Sequence, residues 1–332
     1  MTRHRQILAD YYACEVMTER DAFLDQNFSK NFVWHAGEPW GHGSNLASWQ
    51  SEVMHPLLYA LSATHYEVHI LFAGSTMNKP DGSGDGTQWA TGSGYLHGKF
   101  VNDWMGFRAT NQNIRIRFAD FFRFDDDCIV ECYSQIDIID FLQQIGCDPL
   151  PASNGERFIY PAPTGLSGIM MTPQDETETM RTFKLLHSML FDGLNTFDGE
   201  GLESMSMEDY FHPNLKWYGP GGIGACMSFK EFQEQHQAPW LIAFPDREVL
   251  GLDNLICDGL ICGEAWFQSV EATHGGPYLG VPATGKTIKV SGIDYWLRQD
   301  DVFTENWIFI DFVELFDQMD YNLLEHARSL QS

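Results

Sequence analysis

Residues 106–137 align without a gap onto residues 280–311, and this internal repeat constrains the chain more than any other feature. Ten of the thirty-two positions are identical, where unrelated segments would share roughly two. Gly106, Ala109, Thr110, Asp120, Glu131, Ile136 and Asp137 recur as Gly280, Ala283, Thr284, Asp294, Glu305, Ile310 and Asp311. A second block repeats at an offset of 183 instead of 174: Asn31, Trp34, Gly41, Gln50, Pro56, Leu58 and Ala60 return as Asn214, Trp217, Gly224, Gln233, Pro239, Leu241 and Ala243. The difference of nine residues falls in the Gly-rich stretch from Asn78 to Gly94, where a loop insertion is expected. The chain reads as two copies of one domain.

Its length of 332 residues suits two domains, and a hydrophobic content of 44% suffices for two cores. The formal charge of −26 disfavours nucleic acid and anionic membranes as partners, because both require cationic patches. The carboxylates are scattered, as expected of a solubilising surface. Seven cysteines show no disulfide framework and no zinc spacing, which fits free thiols in a reducing compartment. No stretch reaches the ~18–20 apolar residues of a membrane span, so a cytoplasmic protein is expected.

Each half opens with helical periodicity: Ile7, Leu8, Tyr11 and Tyr12 in the first, Met180, Phe183, Leu186 and Leu190 in the second. A short strand follows at 32–34 or 215–217, then a Gly-rich turn and a helix ending near Pro56 or Pro239. Long strands are predicted near 65–73, 88–100, 113–124 and 128–138, with counterparts near 247–253, 260–271, 287–298 and 302–312. Helices first and antiparallel strands afterwards make an α+β fold. The domains are expected at 1–148 and 176–332. Residues 149–175, with five prolines, form a linker or an arm laid on the surface, docked through the apolar run Phe158-Ile159-Tyr160.

Within the third long strand, side chains alternate between faces. One face reads Ile114, Ile116, Phe118, Asp120, Phe122, Phe124 and its counterpart Ile288, Val290, Gly292, Asp294, Trp296. Each copy thus sets one carboxylate in an apolar, aromatic face. Burial there disfavours the charged form and raises the pKa, which suits a group that takes a proton from a carbon acid. The opposite face, with Arg115, Arg117 and Arg123, reads as solvent-facing. Asp137 and Asp311 end the next strand just before an amphipathic segment, so each is either a helix N-cap or a second acid at a cavity mouth.

The run Gly280-Val281-Pro282-Ala283-Thr284-Gly285-Lys286, followed by Gly292-Ile293-Asp294-Tyr295-Trp296 and Glu305-Asn306-Trp307 with Asp311, resembles the C-terminal signature of SnoaL-like polyketide cyclases. These are members of the nuclear-transport-factor-2-like superfamily. His236 to Asp246 resembles that family's helix-and-turn segment. The resemblance implies two tandem cone-shaped barrels, each a curved antiparallel sheet around an apolar pocket closed by helices. It also implies an acid and a histidine acting on a polyketide ester by intramolecular aldol chemistry, with no metal and no cofactor. The first copy departs from the pattern at Asn111 and Cys132, and it carries His35 and His42 where the second has Tyr218 and Ala225.

The expected catalytic set is Asp120 or Asp294 as the proton acceptor, His35, His97 or His274 to hold the enolate oxygen, and Asp137 and Asp311 nearby. Aromatic pocket walls are expected from Trp34, Phe118, Phe122 and Tyr133 in the first copy, and from Trp217, Tyr218, Trp240, Trp296 and Trp307 in the second. The ligand would be a hydrophobic small molecule. A non-catalytic binding protein and an epoxide-hydrolase-like or hydratase enzyme are the competing readings. Two fused copies suggest a pseudo-dimer within one chain, with Arg115, Ala119 and Phe121 at its seam and further self-association open. His65, Glu67 and His69 alternate on one strand but lack the rest of a metal site, and the Asp81–Gly86 loop lacks the Glu that a calcium loop needs.

Overall fold

The computed structural model describes residues 1–331. Helices α1 (Thr2–Ala13) and α2 (Met17–Asn27) lead into strands β1 (Phe28–Gly37) and β2 (Gly41–Ser44). Short helices α3 (Leu46–Ser48) and α4 (His55–Ala60) follow, then β3 (Leu61–Ser75), β4 (Gln88–Phe100), β5 (Asn113–Asp125), β6 (Cys128–Ile136) and α5 (Ile138–Gln144). The second copy runs through α6 (Glu176–Ser188), β7 (Phe211–Tyr218), β8 (Ala225–Cys226), α7 (Phe229–Phe232), α8 (Ala238–Ala243), β9 (Glu248–Val249) and β10 (Ile256–Asp258). It ends with β11 (Ile261–Thr273), β12 (Thr287–Gln299), β13 (Val302–Ile310), α9 (Phe312–Gln318) and α10 (Leu323–Ser329).

The repeat carries over into the fold. Elements β5, β6 and α5 recur as β12, β13 and α9 at the 174 offset, and β1 and α4 recur as β7 and α8 at 183. The sheets have matching orders, β2-β1-β6-β5-β4-β3 and β10-β11-β12-β13-β7-β8, with β9 pairing β11. All pairs are antiparallel except β1 with β6 and β13 with β7. This is the expected α+β architecture, but neither sheet closes into a barrel: β3 and β10 remain edges. Bulges in β3–β4 and β11–β12 bend each sheet, and helices cover the inner face.

Two local expectations are corrected. Pro56 and Pro239 do not end a helix: each lies within a continuous helical run, just after a π-turn (Trp49–Met54 or Gln233–Gln237) and at the start of α4 or α8. The widened turn there interrupts the regular hydrogen-bond ladder that a proline breaks. The strand expected at 247–253 shrinks to β9. Asp253 and Asn254 there bond β11 amides through their side chains, Asp253 to Phe267 N and Asn254 to Ala265 N at 2.8 Å, displacing a backbone ladder.

The outer faces of the two sheets pack on each other. Phe121 and its repeat partner Tyr295 stack with centroids 5.9 Å apart, and the Tyr295 hydroxyl lies 2.6 Å from Thr91 Oγ1. Asp137 caps α5 and also accepts from Gly221 N at 2.9 Å, while Asp311 caps α9 and accepts from Glu38 N at 2.8 Å. Glu38 and Gly221 are equivalent at the 183 offset, so the two contacts are reciprocal. Arg117, read from sequence as solvent-facing, is buried in this seam. It donates to Tyr218 O and Gly219 O and lies over the Phe309 ring at 4.0 Å. Arg5 of α1 reaches Asp258 of β10 at 2.7 Å, both side chains buried.

Residues 149–175 lie along the same seam. Trp307 Nε1 donates to Pro161 O, Thr164 N to Glu305, and Gln174 N to Asp258. Of the apolar run expected to dock, Tyr160 alone is buried; Phe158 and Ile159 remain exposed. No helix of the described residues is long and apolar enough to cross a membrane.

Candidate functional site

Each inner face holds its carboxylate as the alternation predicts, yet the two copies surround it differently. In the first, β4 places Gly92 directly across from Asp120. A Cβ at Gly92 would lie 2.5 Å from the Tyr12 ring, so the tyrosine of α1 occupies the space a side chain there would need. Its hydroxyl donates to Asp120 Oδ2 at 2.9 Å, and Ser134 Oγ donates to Oδ1 at 2.6 Å. Tyr11, Tyr66 and the Arg20 guanidinium stacked on both rings crowd the same side. The remaining cavity is about 50 Å³.

In the second copy the residue across from Asp294 is Glu264, and the next inward position of β11 is Trp266 in place of Gly94. Trp266 Nε1 donates to Asp294 Oδ2 at 3.2 Å and Asn306 Nδ2 to Oδ1 at 3.1 Å. The cavity before them is about 150 Å³, three times the first, with Trp217, Trp240, Trp296 and Leu190 among its apolar walls. On the helical side, a wide π-turn at Gln233–Gln237 presents His236, stacked on Trp217 at 4.2 Å, and the buried Gln237, whose amide N and O both lack partners. Arg247 completes the wall.

Burial dominates the electrostatics of these groups. It raises the Asp120 carboxyl to about 6 and Asp294 to about 7, against the tyrosine, serine, asparagine and indole hydrogen bonds that favour the anion. Glu264 is pushed well above the usual range by burial, then by the carboxylates of Asp253 and Asp294, and is held neutral. Burial pushes His236 down to about 3, leaving a neutral imidazole. The pocket therefore pairs a carboxyl that titrates near neutrality with one that stays protonated, an arrangement suited to proton transfer.

These perturbations carry a stability consequence. Between about pH 4 and pH 7 the folded chain retains protons on Asp120 and Asp294 that the unfolded chain has released. Their contribution is fully present at low pH and is lost as pH rises through the folded values. Each tenfold difference in acidity between the folded and unfolded chain is worth roughly 1.4 kcal/mol. Urea midpoints measured from pH 4.5 to 7.5 should fall with pH, and Asp294→Asn should flatten that slope. An unchanged slope in the variant would contradict the assignment.

The other residues expected at the sites are dispersed. Phe118 lines the first pocket, and Trp217, Trp240 and Trp296 line the second. Trp34 and Phe122 are core, the former donating to Ser48 and the latter packed on Tyr11. Tyr133, Tyr218 and Trp307 point outward into the seam and not into a pocket. His35 is also on the outer face, stacked on Tyr133 at 4.4 Å beside Glu131. His97 lies within β4 on a surface ladder with His65, bonded to Glu67 at 2.7 Å. His274 is buried behind Phe244 and bonds Thr284 at 3.1 Å. Asp137 and Asp311 are N-caps. Among the described residues, no group of three or more His, Cys, Asp or Glu side chains is arranged to hold a metal ion.

Sequence reasoning passed over Glu264, Trp266, Gln237 and Arg247. The signal for Glu264 was its cross-strand register with Asp294. Two extra residues bulged near Phe267 and Gln268 hid it, because they break the repeat alignment along β11.

The family model for SnoaL-like polyketide cyclases matches residues 193–319, a span that contains this pocket. A search of curated proteins found no match. Similar solved structures include a SnoaL-like protein from Jannaschia sp. CCS1, at 16% identity and a TM-score of 0.37, over 45% of this chain and 97% of that one. TsrD from Streptomyces laurentii is similar at 21% identity and a TM-score of 0.34, over 44% and 96%. IdmH from Streptomyces antibioticus is similar at 16% and 0.33, over 42% and 98%. Residues 193–319 match the SnoaL-like polyketide cyclase model, and the first half of the chain repeats the topology and register of the second.

Proposed function

We propose that the protein is a cofactor-independent acid/base enzyme of the SnoaL-like type, acting in its second domain on a hydrophobic carbonyl or ester compound. One observation carries this reading: the second pocket sets a carboxyl titrating near 7, Asp294, across from a protonated one, Glu264, inside a cavity with apolar walls. Asp294 takes a proton from carbon next to the carbonyl. The neutral Glu264 donates a hydrogen bond to the enolate oxygen, and Asn306 and Trp266 hold the Asp294 carboxylate in place. The resulting carbon nucleophile can close a ring by attack on a second carbonyl in the same molecule.

The first domain serves as the fused partner. Tyr12 occupies the approach to Asp120, and the reciprocal caps of Asp137 and Asp311 support an intramolecular pseudo-dimer. Proton–deuterium exchange at the α-carbon of aryl ketones and aromatic β-keto esters tests the proposal. Exchange above buffer that depends on Asp294 supports it. Ligands that raise the melting temperature without any exchange would favour the binding-protein reading.

A Glu264→Gln variant separates the two carboxyls. Gln retains a hydrogen-bond donor but not the acidity, so the exchange rate should fall about tenfold, less than for loss of a base. The pH at half-maximal exchange should stay in place, because a neutral Glu264 adds no charge beside Asp294. A drop as deep as that of Asp294→Asn would make Glu264 the base instead.

A further inference from the structure

The second pocket has two chemically different ends. Asp294 and Glu264 face each other at one end. At the other, Val290 pairs with Val270 and Val270 with Val249, two residues beyond Arg247. Asp294 and Val290 lie four residues apart on β12, roughly 13 Å at about 3.3 Å per residue, so Arg247 enters the wall from the far end of the strand.

The chain has 46 carboxylates and 20 Lys and Arg residues, yet Arg247 pairs with none of the carboxylates among the described residues. Its Nη2 donates to Leu194 O and to Met205 Sδ, while Nη1 is buried without a partner. Beside it in the same wall are Gln237, with both amide atoms unpartnered, and His236 Nδ1, also unpartnered. Buried donors without acceptors are rare in folded proteins, and here three such side chains line one cavity. The cavity of about 150 Å³ is the size that accommodates a single benzene-sized ring, not a fused tricycle.

We propose that this pocket takes an elongated single-ring aromatic carboxylate, its anionic end held by Arg247 and Gln237 and its carbonyl-activated carbon at Asp294. The orientation at Asp294 rests on the proposed function; recognition of the carboxylate does not. The unpartnered Nη1 offers an anion one charge-assisted donor and the Gln237 amide nitrogen offers a second. In a chain of net charge −26, an anion needs such a dedicated cation to enter.

Calorimetric titration of the whole protein with 4-acetylbenzoate, its methyl ester and an acetylanthracene carboxylate tests this. The acid should bind at least tenfold more tightly than the ester, and the anthracene should bind more weakly than either. Arg247→Met should remove the acid preference while leaving ester affinity in place, and Arg247→Lys should keep part of it. Equal binding of acid and ester by the unaltered protein, preference for the anthracene, or no binding of any would overturn the proposal; these comparisons need no variant to fold. If the preference is absent but neutral aryl ketones still exchange in an Asp294-dependent way, the ligand class falls and the proposed function stands.

Discussion

Asp294→Asn is expected to lower α-carbon exchange by roughly 10²–10⁴-fold, while Asp120→Asn leaves it within about twofold of the starting rate. Both carboxyls are buried and raised, so acidity alone does not distinguish them. Access does. Asp120 has both oxygens engaged, by Tyr12 and Ser134, behind the aromatic side chains of α1 and β3, in a cavity of about 50 Å³. Asp294 has two donors as well but opens on about 150 Å³. The Asn variant keeps the side-chain volume and a hydrogen-bonding group, so its loss reads the missing proton acceptor and not a collapsed wall. A loss of only about half in each variant would mean that Tyr12 moves aside and both copies turn over. An unaffected Asp294→Asn would remove the base from the proposal.

Asp258→Ala is expected to destabilise the chain by about 3–5 kcal/mol, visible as a lower urea midpoint. Arg5 and Asp258 are both buried, and the guanidinium already has two nitrogens without partners. Without Asp258 it keeps the Ala73 carbonyl alone as acceptor, leaving a positive charge uncompensated inside the protein. The same variant strips the acceptor from Gln174 N, so the end of the interdomain arm loosens too. Because Arg5 belongs to the first copy and Asp258 to the second, this pair couples their stabilities. Arg5→Met with Asp258→Leu should recover much of the loss, since two apolar groups bury without a charge cost. A single Asp258→Ala variant as stable as the parent would show that water reaches Arg5.

The sequence was most informative where the repeat is gapless. The alternation along β5 and β12 placed Asp120 and Asp294 on the correct face, and the reading of Asp137 and Asp311 as caps agrees with their bonds to the Asp140 and Glu314 amides. Side assignment failed for Tyr133, Tyr218 and Trp307 because both faces of these sheets are covered, one by helices and one by the other sheet. An aromatic side chain then carries no signal about which face it occupies. Arg117 failed for the converse reason: its charge is met by Asp137 at 3.6 Å and by backbone carbonyls of the other copy, and the latter contact leaves no local trace. The imidazoles of His35, His97 and His274 have the chemistry a site would need, yet each is used elsewhere, in the seam, on a surface ladder or behind Phe244. The difference between the pockets was the least legible feature. It rests on which residue stands across the sheet from each Asp, and a bulge separates the two copies there.

The reciprocal caps of Asp137 and Asp311 belong to a pairing of two like halves, but here a single chain encodes both. In a pair of identical subunits, any substitution lands in both pockets at once, so a tyrosine that plugs one plugs the other. Fusion lifts that coupling. Gly92 can make room for Tyr12 in one half while the equivalent place in the other becomes Glu264. One half is thereby free to be selected for solidity and the other for an open pocket. The asymmetry of the two carboxyls is an outcome open to a tandem chain and closed to a homodimer.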